Sequence, residues 1–112
     1  MTSKGCIFCK MISGEIKTKP IYETGSILAI ADINPVSQLH ILIIPKKHIE
    51  SVVTVGGKDK GVLVEMFKAA QRLIEEKKLV AFRLVFNGGA YQHVPHLHWH
   101  LLAGRTVEWS KL

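Results

Sequence analysis

The chain has 112 residues, of which 47% are hydrophobic and 21% are charged. This balance is typical of globular domains and excludes collagen-like, coiled-coil and disordered chains. Fifteen basic and nine acidic side chains give a formal net charge of +6, and the chain has two cysteines and six histidines. Because a chain of this length buries one hydrophobic core without disulfide bonds, we predict a single domain over residues 1–112.

Composition and patterning also limit the partners and the compartment. No stretch approaches the roughly 18 uncharged apolar residues of a membrane helix, so we expect no membrane partner. Residues 1–10 lack the apolar core of a signal peptide, and cysteines without an export signal indicate a reducing compartment, here the cytoplasm. The lysines are scattered rather than arranged in a stripe with aromatic side chains, so nucleic acid is not the expected partner.

The first half of the chain predicts short elements. Residues 6–14 predict one or two helical turns that end at Gly14. Residues 21–23 and 27–32 predict two short strands around a Thr-Gly-Ser turn. Residues 39–44 form a nearly continuous apolar run, rich in β-branched side chains and ended by Pro45, which predicts a central strand covered on both faces.

The hydrophobic period changes in the second half. Over residues 60–78 apolar side chains recur at helical spacing with charged side chains largely opposite, which predicts one long amphipathic helix. Residues 82–86 alternate as a strand does, the Asn-Gly-Gly at 87–89 predicts a turn, and residues 97–103 predict the last strand. Strands mixed with one long helix predict an α+β domain with a mostly antiparallel sheet.

The sequence His-Leu-His-Trp-His-Leu at 96–101 alternates imidazoles with apolar side chains. Because side chains i and i+2 of a strand share a face, roughly 6.6 Å apart, we expect His96, His98 and His100 to line one face. Such a row fits a metal site, as in zinc hydrolases, or a nucleophilic imidazole whose neighbours hold a phosphate. No acidic residue lies near enough in sequence to assist a catalytic metal, which favours the phosphate interpretation. A polar strand face without a role is the third interpretation.

The segment 96–102 resembles the His-x-His-x-His-x-x signature of the histidine triad (HIT) superfamily. The segments CIFCKMISGEI at 6–16, DINP at 32–35 and HILIIPKKH at 40–48 resemble further parts of the same family. The end of the chain, LAGR at 102–105 with Trp109, is similar to the Hint branch, the histidine triad nucleotide-binding proteins. The resemblance implies a five-stranded antiparallel sheet with one long and one short helix, extended to ten strands across a homodimer.

The same resemblance implies an activity. Hint proteins are purine nucleoside phosphoramidases, so we expect hydrolysis of adenosine 5′-phosphoramidates to AMP and an amine, without an organic cofactor. His98 corresponds to the nucleophile that forms a covalent nucleotidyl-histidine, and His100, His40 and His96 correspond to its supporting groups. Asp32 is implied to bond the ribose hydroxyls. The implied nucleotide-binding set is Asp32, Ile33, Asn87, Gln92, His93 and Val94.

Two other functions stay open, namely a dinucleoside polyphosphate hydrolase and a nucleotide-binding scaffold protein with vestigial activity. The sugar-phosphate nucleotidyltransferase branch is disfavoured, because it resembles His-x-His-x-Gln whereas the third position here is His100.

The chain departs from the Hint pattern just before the triad. Hint proteins commonly have Gly-Gln-Ser/Thr-Val there, whereas this chain has Tyr91-Gln92-His93-Val94 in a loop that looks shorter. Tyr91 in place of glycine disfavours a positive φ at that position. One hypothesis is that His93 replaces the hydroxyl donor; the alternative is a solvated loop histidine.

Cys6 and Cys9 have the spacing of a metal knuckle, although one such pair alone is a weak signal. Relatives with this pair combine it with the histidine of the Pro-Lys-x-His segment and the first triad histidine. Those residues are His48 and His96 here, and the implied Cys₂His₂ set fits a structural zinc with all four positions filled. The alternative is two buried reduced thiols.

Overall fold

The protein is described from a computed structural model that covers residues 5–112. The expectation of no leader rests partly on residues 1–4, which lie outside the described residues, and the single domain over 1–112 stays a prediction. The helices and strands, numbered in chain order, are α1 Ile7–Ser13, β1 Tyr22–Glu23, β2 Ile27–Ala31, β3 Leu39–Pro45, α2 Lys60–Glu76, β4 Arg83–Val85 and β5 Trp99–Ala103.

The five strands form one sheet in the order β1-β2-β3-β5-β4, and all neighbours are antiparallel. The predicted α+β class, with one long and one short helix, is confirmed. At the centre of the sheet, His40 of β3 pairs with Leu102 of β5, and Leu42 pairs with His100. Because opposite residues of antiparallel strands share a face, this register brings the His40 and His100 side chains together.

Each face of the sheet is covered by a different helix. Against α2 lies the larger cluster, which includes Ile41, Ile43, Leu73 and Leu101. The α1 face is covered by a smaller cluster, which includes Cys6, Phe8, Cys9, Leu42 and Ile44. The central strand β3 is therefore buried on both faces, as its continuous apolar run predicts.

Both helices end where the chain adopts a left-handed conformation. Gly14 has φ 87° and its N–H donates to Met11 O, so the predicted stop of α1 is confirmed. The second helix ends at Glu76, two residues before the predicted limit, because Lys78 takes a left-handed φ of 51°. The N–H groups of Lys78 and Leu79 close this end on carbonyls of the last turn.

The last strand begins at Trp99 rather than at residue 97, so only His100 of the triad lies within a strand. Continuing the β3–β5 register would place Pro45 opposite Leu97, and proline has no N–H to donate to the ladder. Leu97 N instead donates to Ile49 O, in the segment after β3, at 2.6 Å. The predicted start of the strand at residue 97 is therefore wrong by two residues, and His98 precedes the strand.

The other strand limits shift by one residue. β1 begins at 22, β2 ends at 31 because Asp32 turns the chain, and β4 covers 83–85 rather than 82–86. Among residues 5–112, no helix is both long enough and apolar enough to span a bilayer.

Candidate active site and metal centre

The three triad histidines all lie on the α1 side of the sheet, although two of them precede β5. His96, His98 and His100 are buried. The ring of Phe8, on α1, contacts His96 and His98 edge-on, with centroids 5.7 and 5.0 Å away. On the opposite side, Trp99 belongs to the cluster under α2. The predicted alternation of faces is therefore kept in the residues that precede β5.

The hydrogen bond of His98 fixes which of its nitrogens is free. Nδ1 lies 2.7 Å from the carbonyl oxygen of His96. Because a carbonyl only accepts, Nδ1 carries the proton and Nε2 keeps a lone pair. Burial lowers the pKa of His98 below its ordinary value, so the ring is neutral at pH 7. The residue is therefore oriented and uncharged, as a nitrogen nucleophile must be.

A chain of hydrogen bonds likewise fixes His40 and His100. The N–H of Val36 donates to His40 Nδ1 at 3.1 Å, so the proton of neutral His40 is on Nε2. That nitrogen lies 2.9 Å from Nδ1 of His100, which must accept. The proton of His100 is then on Nε2, which is buried and has no hydrogen-bond partner among residues 5–112.

The ring that carries this orphaned N–H is a neighbour of the His98 ring. The rings of His98 and His100 have their centroids 5.0 Å apart. Burial lowers the pKa of His100 to about 3, helped by the neighbouring histidines His98, His40 and His93. His100 therefore stays neutral and offers one N–H whose buried position requires an acceptor. A lone pair next to an unsatisfied donor is suited to an electrophile that carries anionic oxygens.

Asp32 lies at the end of this chain of histidines. One carboxylate oxygen, Oδ1, accepts from Asn34 N at 2.8 Å, so the residue caps the turn after β2. The other, Oδ2, lies 3.4 Å from His40 Nε2. Burial lowers the pKa of His40, and the charge of Asp32 opposes that effect. Asp32 thus has both a structural contact and a free oxygen at the site.

An apolar cleft of about 670 Å³ is lined by the residues on either side of Asp32 in the sequence, Ala31 and Ile33, and the surface of Ile33 is 91% exposed. The remaining lining residues come from α1, the loop after it and the end of β2: Ile7, Met11, Ile16, Lys17, Thr18, Lys19 and Ile30. Sequence reasoning named only Ile33 of this set. Ile7 and Met11 are four residues apart on one helix face, which is the signal that indicates a shared surface.

The loop before the triad is held by Gln92. Its side-chain nitrogen donates to Glu50 O at 2.8 Å and to Val94 O at 3.0 Å, so the amide points at backbone. His93 is exposed in the same loop, and a positive charge on it would lower the pKa of both His98 and His100. Asn87 is half-buried, two residues beyond the partner of His100 in β4.

The positive φ of this loop is at Gly89, with φ 58°. Among residues 5–112, Lys78 is the one non-glycine residue with positive φ. Tyr91 therefore needs no left-handed backbone, and the expectation drawn from its replacement of glycine is confirmed.

Cys6, Cys9, His48 and His96 form a second cluster, and their donor atoms all lie within 4.8 Å of one another. Cys6 Sγ lies 3.2 Å from His96 Nδ1, and Cys9 Sγ lies 3.2 Å from His48 Nδ1. The two Nδ1 atoms are 3.0 Å apart. A tetrahedral zinc with ordinary bond lengths would separate sulfur and nitrogen by roughly 3.6 Å and two nitrogens by roughly 3.3 Å, so the spacing fits.

The hydrogen bonds of His96 also fit a metal ligand. Its Nε2 donates to Pro45 O at 2.8 Å, which leaves the lone pair on Nδ1 directed at the cysteines. A ring whose far nitrogen is fixed by a carbonyl is the usual arrangement around a bound metal. Burial raises the pKa of the Cys6 thiol, so a metal would have to displace its proton.

Asp32, His40 and His100 form another group of close donor atoms, but they do not fit a metal. A ligating His40 Nε2 would have to lose its proton, and a neutral ring would then carry it on Nδ1. That nitrogen already accepts from the Val36 N–H, so two donors would face each other. The hydrogen bonds of His40 therefore argue against a metal at this group.

Comparisons with known proteins agree with this geometry. A family model described as "Scavenger mRNA decapping enzyme C-term binding" matches residues 5–110. Protein HitA of Neisseria gonorrhoeae is 34% identical over 100 residues, which cover 87% of this chain and 94% of HitA. An uncharacterised HIT-like protein of Methanocaldococcus jannaschii is 38% identical over 102 residues, covering 87% of this chain and 77% of that protein.

Solved structures give the same result. A histidine triad protein from Clostridium difficile is 37% identical, with a TM-score of 0.89 and coverage of 96% of both chains. A HIT family hydrolase from Clostridium thermocellum is 40% identical, with a TM-score of 0.87 over 93% of this chain and 94% of that one. With the family model, the sequence relatives and the fold in agreement, the chain belongs to the histidine triad superfamily.

Proposed function

We propose that the protein hydrolyses purine nucleoside 5′-phosphoramidates to the nucleoside monophosphate and an amine, with adenosine as the nucleoside. The observation that carries the proposal is the free Nε2 of His98 on a ring next to that of His100, whose Nε2 is buried and orphaned. A similar structure is described as a HIT family hydrolase, which supports a hydrolytic reaction.

In the first step, the Nε2 lone pair of His98 attacks phosphorus, the N–P bond to His98 forms, and the bond to the leaving nitrogen breaks. His93 supplies the proton that the departing amine needs. In the second step, water attacks the same phosphorus, the bond to His98 breaks, and His93 takes up the proton of the water. The sum is substrate plus water to AMP plus amine, and the covalent intermediate splits one hard displacement into two.

The other histidines position the nucleophile and stabilise the charge on the phosphate. His100 donates its Nε2–H to a non-bridging phosphate oxygen, and His40 keeps that proton in place through the hydrogen bond to Nδ1. The carbonyl of His96 aims the His98 ring. Because the transition state of phosphoryl transfer is loose, such positioning supplies most of the catalysis.

The remaining predicted site residues are assigned to substrate binding. The apolar cleft beside Ile33 would take the base, and Asp32 would accept hydrogen bonds from the ribose hydroxyls. Asn87 would lie near the phosphate, and backbone N–H groups of the Gln92–Val94 loop would approach its oxygens. The side chain of Gln92 has a different task in this proposal, because its amide already holds the loop to Glu50.

We assign a structural zinc to Cys6, Cys9, His48 and His96 and no organic cofactor. When bound, the metal would tie α1 to the segment that carries the nucleophile. Cys6 and Cys9 lie at the start of α1, and His96 is two residues before His98. Free thiols agree with a reducing compartment such as the cytoplasm.

We also expect a homodimer that joins two sheets. The strand β4 is an edge of the sheet, and the adjoining Phe82 and Phe86 are exposed. An edge strand flanked by apolar side chains is a template for a further strand, and a second β4 would complete a ten-stranded sheet. Sedimentation equilibrium should give twice the chain mass of 12.5 kDa, and a monomer would contradict the assignment.

The activity is tested by following AMP release from adenosine 5′-phosphoramidate with wild-type protein and with His98→Ala. We expect steady turnover by the wild type and a loss on the order of 10³-fold or more in the variant, with AMP binding and thermal melting preserved. AMP binding without turnover by the wild type would instead indicate a scaffold protein.

A dinucleoside polyphosphate hydrolase is the second candidate, because the matching family model is described by a decapping enzyme. The same nucleophile would then release a phosphate-containing leaving group that needs no proton. Diadenosine polyphosphate hydrolysed faster than the phosphoramidate at equal concentration would favour it.

A further inference from the structure

The proton on His40 Nε2 has two competing acceptors. His100 Nδ1 lies 2.9 Å away and Asp32 Oδ2 lies 3.4 Å away. The Val36 N–H occupies the other ring nitrogen, so the proton of neutral His40 cannot move to Nδ1 without facing a second donor. In this structure the hydrogen bond joins His40 to His100, whereas the carboxylate of Asp32 makes a charge contact outside hydrogen-bond geometry and competes for the same N–H.

The choice between the acceptors decides what His100 presents to the phosphate. When His40 donates to His100, Nδ1 of His100 must accept and its proton is on Nε2, toward the site. When the His40 N–H donates to the carboxylate instead, no hydrogen bond holds the proton of His100 on Nε2. The other tautomer presents a lone pair at Nε2, which repels an anionic oxygen instead of donating to it.

The contact between Asp32 and His40 is the weaker of the two contacts that the carboxylate makes. Its Oδ1 is fixed by Asn34 N at 2.8 Å, whereas Oδ2 makes only the longer contact with the ring. The side chain keeps 20% of its surface exposed, while that of His40 keeps 2%. A ligand can therefore reach the carboxylate more readily than the imidazole behind it.

We propose that Asp32 is a specificity-determining residue. When ribose hydroxyls bind to it, His40 donates to His100, and His100 is held in the tautomer that has its proton on Nε2, toward the phosphate. A hydroxyl that donates to Oδ2 satisfies the carboxylate, so the His40 N–H donates its hydrogen bond to His100 Nδ1, and His100 keeps its own proton on Nε2, facing the phosphate. Ribose recognition then raises kcat and not only affinity. This inference rests on the proposed function and deepens it.

The test combines two proteins with two substrates. The proteins are the wild type and Asp32→Ser, in which the hydroxyl still accepts from Asn34 N–H while the oxygen near His40 is removed. The substrates are the 5′-phosphoramidates of adenosine and of 2′,3′-dideoxyadenosine. With the wild type, we expect the dideoxy substrate to lower kcat roughly tenfold, the effect of one lost hydrogen bond, in addition to raising KM.

In Asp32→Ser the competitor for the His40 proton is absent, so the penalty in kcat should disappear. We expect kcat for the two substrates to agree within about twofold, and kcat for the dideoxy substrate to exceed that of the wild type. A residue that only binds ribose would change KM alone and would give no such rescue. Equal kcat values for both substrates with the wild type, or no rescue in the variant, would overturn the inference.

Nitrogen NMR of His100 gives a readout that needs no turnover and no variant. With AMP bound to the wild type we expect the His100 proton on Nε2, and with 2′,3′-dideoxy-AMP we expect a mixture of tautomers. Identical tautomers in both complexes would overturn the inference and leave the proposed function intact. No turnover of the adenosine substrate by the wild type would refute the proposed function itself, and this inference with it.

Discussion

A buried neutral histidine makes folding depend on pH, and His100 gives the clearest case. Its pKa is lowered by burial to about 3, compared with an ordinary value of 6.5 that applies to the unfolded chain. As the pH falls from 7 to 5, the unfolded chain gains a proton at this position and the folded chain does not. The free energy of unfolding must therefore fall as the pH falls.

The size of the loss in unfolding free energy follows from the pH range below the unfolded pKa. Each pH unit below the unfolded pKa costs about 1.36 kcal/mol per histidine that stays neutral in the folded state. Between 6.5 and pH 5 the cost is about 2 kcal/mol for His100, and it has this value for any folded pKa well below 5. Carboxylates contribute little here, because most of them titrate at lower pH.

The perturbation is His100→Gln, whose amide can accept from His40 and donate at the site but does not titrate. Urea unfolding of both proteins at pH 7 and pH 5 measures the difference. We expect the wild type to lose about 2 kcal/mol more than the variant over this range. Any metal contribution cancels, because the two proteins share the same Cys/His cluster. Equal losses in both proteins would refute the assignment of His100 as buried and neutral.

Three further predictions follow from other parts of the structure. Cys9→Ser should abolish stoichiometric zinc in elemental analysis and lower the melting temperature; wild-type protein purified without zinc would contradict the metal assignment. Lys78→Gly should raise the free energy of unfolding by about 1 kcal/mol, because φ 51° strains any residue with a Cβ; an unchanged urea midpoint would contradict it. Because burial lowers the pKa of His98, the single-turnover rate should not fall as the pH drops from 8 to 6.5 and should fall only at lower pH. A rate already halved at pH 6.5 would exclude a buried neutral nucleophile.

The elements that the sequence predicts well are those with a local pattern. The apolar run of β3, the helical period of α2 and the glycine that ends α1 are each read within a few residues, and all three agree with the structure. The start of β5 is different, because it depends on where Pro45 falls in the register of the partner strand. Register is a long-range property, so the alternation of His96 and His98 looked like a strand although it lies outside the sheet.

Some features of the candidate site were likewise predicted from the sequence, and others depend on the fold. The resemblance predicted the donor set of the metal cluster, and the structure brings those four side chains together. The orphaned N–H of His100 and the contact between Asp32 and His40 depend on distances across two strands, which a sequence does not contain. The apolar cleft was missed because its walls come from three separate elements that meet only in the fold.

The central claim is that a neutral His98 bonds covalently to the phosphorus of a nucleotide. The most direct test is intact and peptide mass spectrometry of wild-type protein quenched with base during turnover of adenosine 5′-phosphoramidate. We expect an adenylyl group on the peptide that contains residues 96–100, located to His98, labile in acid and absent in His98→Ala. Turnover that proceeds with no adenylylated protein at any quench time, or with the group on another residue, would contradict the account.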